Sequence, residues 1–414
     1  MQVLVIGQGA REHALVKALK KDPDVTKILA TPGNAGIAED ATCLDFSVED
    51  TNEITDFCKL EKIDLVIVGP EAALVKGITD QLNQENIACF GPTKAAAKIE
   101  SSKGFAKKIM QETNVATAKS FECNDINQVV AAIDEFGAPF VIKDDQLAAG
   151  KGVVVTNEKN LALNHAKDCL AKPNGKVVVE EFLSGKEVSI LFISDGETLI
   201  PLEPAQDYKR ALDNDEGPNT GGMGAYSPVD WIEKSLVEKV KNEIAYPVIK
   251  RMKELNTPFV GVLYVGLIIT TQGPKVIEFN ARFGDPETQV ILARLETPIT
   301  QIFLNAVNGN LKNQPAPKWS DLKAVTVIRA AKGYPEHPEL NDEITLSKEN
   351  EYSYILHAGT KKIGEKLLSN GGRVLSIVGL GPDLTSARNR AYALNDQILF
   401  EKSHFRSDIA DMER

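Results

Sequence analysis

The chain of 414 residues carries 47 Lys and Arg against 58 Asp and Glu, a formal charge of −11, with both signs interspersed. That balance argues against general affinity for nucleic acid or an anionic membrane, although a pocket can still be locally basic. The length exceeds one hydrophobic core and predicts two to four packed domains, while 43% hydrophobic and 25% charged residues exclude a disordered chain.

The N-terminal run VLVIG has no basic segment ahead of it and breaks at Gly7, so it reads as a first strand and not as a signal peptide. A helix from about Arg11 to Lys20, strand KILAT, a helix from about Thr51 to Leu60 and a strand in IDLVIVGP give a parallel α/β layout. A helix is expected over roughly Thr93 to Glu112. Strands FVIK and GVVVT then flank a glycine-containing turn, as in a hairpin lid. KVVVEEFL and EVSILFIS read as further strands, and a long polar loop is expected from Asp207 to Pro228. Strands FVGVLYVGLIIT and KVIEFNARF follow, then a helix near Thr288 to Val307. The prolines of NQPAPKW mark a boundary before a last domain of strands and turns. No apolar run reaches membrane-spanning length, and five dispersed cysteines without a CxxC pair disfavour disulfides and zinc, pointing to a reducing cytoplasm.

Gly7-Gln8-Gly9-Ala10-Arg11-Glu12 ends a strand and opens a helix, where backbone N–H groups can meet an anion. Glutamate at position 12, where a dinucleotide site wants glycine, counts against a nicotinamide cofactor. A tight structural turn and a phosphate or ribose site both remain open. The segment from Lys143 to Gly152 departs from a Walker A loop at Asp145 and Gly152 and precedes a strand. It is either a plain hairpin turn or a lysine-bearing lid over nucleotide phosphates. In Lys275-Val276-Ile277-Glu278-Phe279-Asn280-Ala281-Arg282 the strand period of two puts Glu278 and Asn280 on one face, with Ile277 and Phe279 on the other. Two oxygen donors so spaced suit Mg²⁺, and Arg282, continuing that face, can offer a planar fork to a phosphoryl group. Val178 to Leu183 followed by Glu187 is a half-buried strand or, given its neighbours, an adenine-binding hinge. Gly217 to Tyr226 reads as a substrate-facing loop. The histidines form no HxxH or HExxH pattern, and His13 reads as a helix residue near the first loop.

From end to end the motifs GQGAREHA, PGNAG, VGPE, ESSKGFAK, VIKDDQLAAGKG, VEEFL, QDYKR, GPNTGGMGAYSP, VIEFNARFGDPE, HAGT and GGRV resemble the phosphoribosylamine glycine ligase family of ATP-grasp enzymes. The resemblance implies α/β and α+β domains: an N-terminal parallel α/β substrate-binding domain (1–100), an ATP-grasp unit (101–315, lid about 120–188) and a small mixed C-terminal domain (320–414). It implies ligation of glycine to phosphoribosylamine, with ATP giving ADP and phosphate, in a monomer or small homo-oligomer. Carried over by position, Lys103 and Lys143 would contact ATP phosphates and Gly150, Lys151 and Gly152 would cover them. Glu180, Glu181, Phe182 and Leu183 would line the adenine, and Glu187 would hold the ribose. Glu278 and Asn280 would bind Mg²⁺ or Mn²⁺. Gly9, Asn34 and Glu71 would face the phosphoribosyl group, and Asp207, Lys209, Asn219, Gly221, Gly222, Arg282 and Asp285 the glycine and transferred phosphate. Arg282, Lys151 and Asp285 are the catalytic candidates.

Ala10, Asp144, Gln146 and Tyr208 depart from the family pattern. A carboxylate at 144 beside phosphates is unfavourable unless it turns to solvent, and losing a glycine at 146 stiffens the turn. The competing readings are an ATP-grasp ligase for another acid and amine, and a nucleotide-binding regulator, which would be expected to lack Glu278, Asn280 or Arg282.

Overall fold

A computed structural model of the chain describes residues 1–146 and 152–411. The opening run Gln2–Gly7 is the middle of a five-stranded parallel sheet ordered Thr42–Cys43, Lys27–Pro32, Gln2–Gly7, Leu65–Val68, Cys89–Phe90. Its alternate residues serve two cores, as a strand covered on both faces must. Val3 and Val5 pack with Leu15 and Leu19 of helix Ala10–Lys20, and Leu4 and Ile6 with Ile54 and Leu74 on the other side.

The expected hairpin is present as Phe140–Asp144 paired antiparallel with Val153–Thr156. It belongs to a four-stranded sheet completed by Val177–Glu180 and Ser120–Cys123. Helices Ile126–Phe136 and Lys159–Leu170 bury Val129, Ile133, Ala162 and Ala166 against it. A second antiparallel sheet runs Leu199–Pro201, Lys186–Asp195, Val260–Thr270, Gly273–Asn280. A third begins with Gln206–Asp207 and Gly224–Ser227, continues through Lys323–Ala331 and Arg373–Gly381, and ends at Ser353–His357. It therefore passes across the NQPAPKW segment and joins the central and C-terminal parts of the chain.

Four expectations are corrected. The helix expected over Thr93 to Glu112 is two, Lys98–Ser101 and Lys103–Glu112. Ser102 between them is extended, and its hydroxyl accepts from Phe105 N at 3.1 Å; a serine N-cap restarts the helix and puts Lys103 in its first turn. The helix near Thr288 to Val307 is likewise two, Glu287–Arg294 and Ile299–Val307. The Asp207 to Pro228 loop contains strands Arg210–Leu212, Glu216–Asn219 and Gly224–Ser227. The C-terminal part carries, besides strands and turns, helix Leu384–Asn395, packed on strand Arg373–Gly381. Among the described residues no helix is long and apolar enough to cross a membrane.

Candidate active site

The first loop is built around Glu12. Its Oε2 accepts from Gly9 N at 2.6 Å and its Oε1 pairs with Arg11 Nε at 2.6 Å. A side chain at Gly69 would collide with this carboxylate. Glutamate at 12 thus fills the space and caps the helix, where a dinucleotide-binding loop would leave room for pyrophosphate. Ala10 is buried in that helix. Asn34 braces the loop: its Nδ2 donates to Gln8 O and His357 O, both at 2.8 Å, and its Oδ1 accepts from Gly36 N and Ile37 N, both at 2.9 Å. His13 is a buried helix residue whose Nδ1 accepts from His357 N at 2.8 Å.

On the lid, Lys143 Nζ lies 2.8 Å from Glu180 Oε2, and Lys107 Nζ lies 2.9 Å from Glu180 Oε1. Burial alone would raise the Glu180 carboxyl; the two lysines outweigh it and hold it below its ordinary value. Lys143 also donates to Ile277 O at 3.2 Å, reaching from lid to central sheet. Lys103 donates to Gln146 O at 3.4 Å, and burial pushes its ammonium down against the opposing pull of Glu278. Gly152 closes the hairpin by accepting from Asp144 N at 2.7 Å; Gly150 and Lys151 lie outside the described residues. Glu181, Phe182 and Leu183 form an irregular link between strands. There Glu181 N donates to Lys119 O and Glu181 Oε1 accepts from Lys119 N, each at 3.0 Å.

Asp144 does not turn to solvent and is instead neutralised locally. It is fully buried, Lys172 Nζ stands 2.5 Å from its Oδ2, and its Oδ1 accepts from Gln146 N at 3.0 Å. Gln146 in turn donates to Pro173 O at 2.9 Å, so it anchors the loop where glycine would not. Tyr208 turns to the C-terminal region: its hydroxyl accepts from Ala410 N at 2.9 Å and Arg406 stacks 5.0 Å from its ring.

The carboxylate strand carries a β-bulge. Gly266 pairs with Glu278 and Leu267 with Val276, leaving Ile277 as the extra residue. Val276 and Phe279 are buried, whereas Ile277, expected on the inner face, is only partly so; a bulge resets the two-residue period. Glu278 faces Lys209, Lys143, Lys103 and Arg282, which together overcome burial and lower its carboxyl below the ordinary value. Lys209 bonds Glu187 Oε2 at 2.7 Å. Asp207, next to them, is pushed up to about 7 by burial and by Glu287, Glu187 and Glu278, with Lys209 opposing. Glu278 and Asn280 stand two residues apart on that strand, and side-chain oxygens of their kind are what a hard divalent cation takes. Among the described residues no group of three or more His, Cys, Asp or Glu side chains is placed to hold a metal ion.

Strand Gly273–Asn280 ends before Arg282, so this arginine does not extend its face, contrary to the periodic reading. Its Nη2 meets Glu100 Oε1 at 3.0 Å, its Nε meets Glu71 Oε2 at 3.4 Å, and its Nη1 donates to Phe283 O at 3.1 Å. Asp285 Oδ2 pairs with Arg373 Nη2 at 3.0 Å and its Oδ1 accepts from Gln289 Nε2 at 2.7 Å. Asn219 Oδ1 accepts from Arg210 Nη1 at 3.3 Å, while Gly221 N donates to Tyr334 Oη at 3.0 Å and Gly222 N to Thr220 Oγ1 at 2.9 Å.

Among the sequence-predicted residues, direct contacts join Lys143 with Glu180, Glu187 with Lys209 and Glu71 with Arg282, Arg373 joins Gly221, Gly222 and Asp285, and Glu278 interacts with Lys103, Lys143, Lys209 and Arg282. Sequence reasoning missed Lys107, Glu100, Glu287, Tyr334 and Arg373. Glu287 is buried and accepts from Tyr264 Oη at 2.8 Å and Ser189 Oγ at 3.2 Å. The motifs ESSKGFAK, FGDPE and GGRV contain or adjoin several of them, but nothing local announces their partners.

Models of three phosphoribosylglycinamide synthetase domains match the chain in order: the N domain at residues 1–100, the ATP-grasp (A) domain at 101–288 and the C domain at 324–412. A phosphoribosylamine–glycine ligase of Streptomyces coelicolor is 50% identical over 415 residues, 99% of each chain. The crystal structure of phosphoribosylamine–glycine ligase from Thermotoga maritima superimposes with a TM-score of 0.86 at 33% identity, covering 99% of this chain and 100% of that one. The biotin carboxylase domain of a Hydrogenobacter thermophilus 2-oxoglutarate carboxylase, solved with MgADP and bicarbonate, shares the fold at a TM-score of 0.72 and 15% identity, covering 98% and 91% of the two chains.

Proposed function

The chain belongs to the phosphoribosylglycinamide synthetase family and is an ATP-dependent ligase of glycine and 5-phosphoribosylamine, and we propose that it acts through glycyl phosphate, formed where lid, central sheet and first loop converge. A free carboxylate resists amines because its carbon is a poor electrophile and oxide a poor leaving group. A glycine carboxylate oxygen attacks the γ-phosphorus of ATP and ADP departs. The amine of phosphoribosylamine then attacks the glycyl carbonyl, and phosphate leaves with the carboxylate oxygen it gained.

Lys143 and Lys103 take the triphosphate, and Glu180 keeps Lys143 in place before it arrives. The segment Glu181 to Leu183 offers backbone groups to the adenine, and Glu187 exchanges Lys209 for the ribose. Glu278 and Asn280 would hold Mg²⁺ or Mn²⁺, which supplies charge neutralisation on the phosphate oxygens. Arg282, Asp285, Asp207, Lys209 and the loop Asn219 to Gly222 surround the glycine and the transferred phosphate; Gly9, Asn34 and Glu71 face the phosphoribosyl group. The hairpin formed by Phe140–Asp144 and Val153–Thr156 excludes water from an intermediate that hydrolyses readily. The family and five unpaired cysteines support a cytoplasmic setting.

The observation that carries this reading is Glu278, an ionised donor ringed by Lys209, Lys143, Lys103 and Arg282. Glycine labelled with ¹⁸O in its carboxylate tests it: one labelled oxygen should appear in the released phosphate, and unlabelled phosphate would refute an acyl phosphate.

A further inference from the structure

Arg373 opens strand Arg373–Gly381, where Ala330 pairs with Arg373 and Arg329 with Leu375, leaving Val374 as an extra residue. A bulge of this kind re-aims the neighbouring side chain. Here the guanidinium leaves its own sheet and binds two loops far away in sequence. Its Nη1 donates to Gly221 O, to Gly222 O at 3.4 Å and to Asp285 O at 2.8 Å, and its Nη2 meets Asp285 Oδ2 at 3.0 Å. Tyr334, packed against Gly372, accepts from Gly221 N at 3.0 Å. One cation from the C-terminal part therefore fixes both the glycine-rich loop and the loop bearing Arg282 and Asp285.

We propose that Arg373 is a positioning residue for the ligation step, holding the Gly221–Gly222 backbone and the Asp285 carboxylate in the geometry that receives glycine. The inference rests on the glycine-ligase reading above. Lysine would keep the charge but not the planar fork that serves several acceptors at once, and alanine would remove the cation from Asp285 Oδ2 and the donor from three carbonyls. The reading above assigns ATP to Lys103, Lys143 and the segment Glu181 to Leu183, none of which Arg373 contacts, so nucleotide binding should be spared.

The experiment measures ADP release by the full-length enzyme, its Arg373→Ala and its Arg373→Lys variants, with and without added guanidinium, alongside urea unfolding. The expected result is a glycine KM raised, or kcat lowered, by at least about tenfold in both variants. The ATP KM should stay within about twofold, and guanidinium should partly restore Arg373→Ala. Kinetics within about twofold of the parent, or a parallel loss of ATP affinity without rescue, would overturn the proposal. If Arg373→Ala does not fold, Tyr334→Phe, which removes only the acceptor for Gly221 N, is judged by the same split between glycine and ATP. Absence of glycine-dependent turnover in the parent would instead overturn the ligase reading and this inference with it.

Discussion

Lys143 and Glu180 meet at 2.8 Å from adjacent antiparallel strands of the lid, and Lys107 reaches the other carboxylate oxygen from helix Lys103–Glu112 outside that sheet. The lid is thus tied to the body of the protein by a buried carboxylate shared between two ammonium groups. Such an arrangement fixes position more than it adds stability, because desolvation offsets most of the attraction.

Replacing Glu180 by Gln takes from both buried lysines the carboxylate they share and should cost about 3 kcal/mol in urea unfolding at pH 7. The Glu180 carboxyl sits below its ordinary 4.5 in the folded state, so its contribution is present above that value and is lost as pH falls through the folded pKa. The gap between parent and Glu180→Gln should therefore be constant above about pH 5 and narrow at lower pH. A gap that stays level down to pH 3 would contradict the pairing.

Gln146 holds the lid loop to Pro173 and presents its carbonyl to Lys103. Gln146→Gly removes the side-chain anchor and frees the backbone, and the ATP KM should rise, or kcat change, by about threefold or more. Steady-state kinetics with both parameters unchanged would dismiss the anchor as irrelevant to nucleotide handling.

Gly222 sits at φ +110°, and a Cβ there would strike Pro286. Gly222→Ala must therefore move the loop that Arg373 fixes, at about 1–3 kcal/mol of strain. Turnover with glycine should fall about a hundredfold, while circular dichroism and nucleotide binding stay close to the parent. Full activity in this variant would mean that the loop does not set the substrate geometry.

What could be read from the sequence was whatever repeats locally. The run VLVIG, the hairpin around the glycine turn and the strand with Glu278 and Asn280 are each set by alternation and turn chemistry within a few residues. The expectations that failed depend on partners far along the chain. Gly224–Ser227 looks like loop because its glycine and flanking proline hide a strand that pairs with Lys323–Ala331. Ile277 is displaced by a bulge that the alternation of its own strand does not reveal. Arg282 does not continue the face of its strand, because the strand ends at Asn280 and its partners, Glu71 and Glu100, lie in other segments. Arg373 was missed for the same reason: a single arginine in GGRV gains meaning only from carbonyls about 150 residues away. Ser102 was legible in principle, since a serine before a helical run is an N-cap signal.

The central claim is that a carboxylate made ionic by surrounding cations, Glu278, serves ATP-driven activation of glycine. It is tested most directly by coupled ADP release in the parent and in Glu278→Ala. The parent should need glycine and phosphoribosylamine together and yield ADP and phosphate, and Glu278→Ala should lose that turnover by at least about a thousandfold. AMP and pyrophosphate as products, or undiminished turnover in Glu278→Ala, would contradict it.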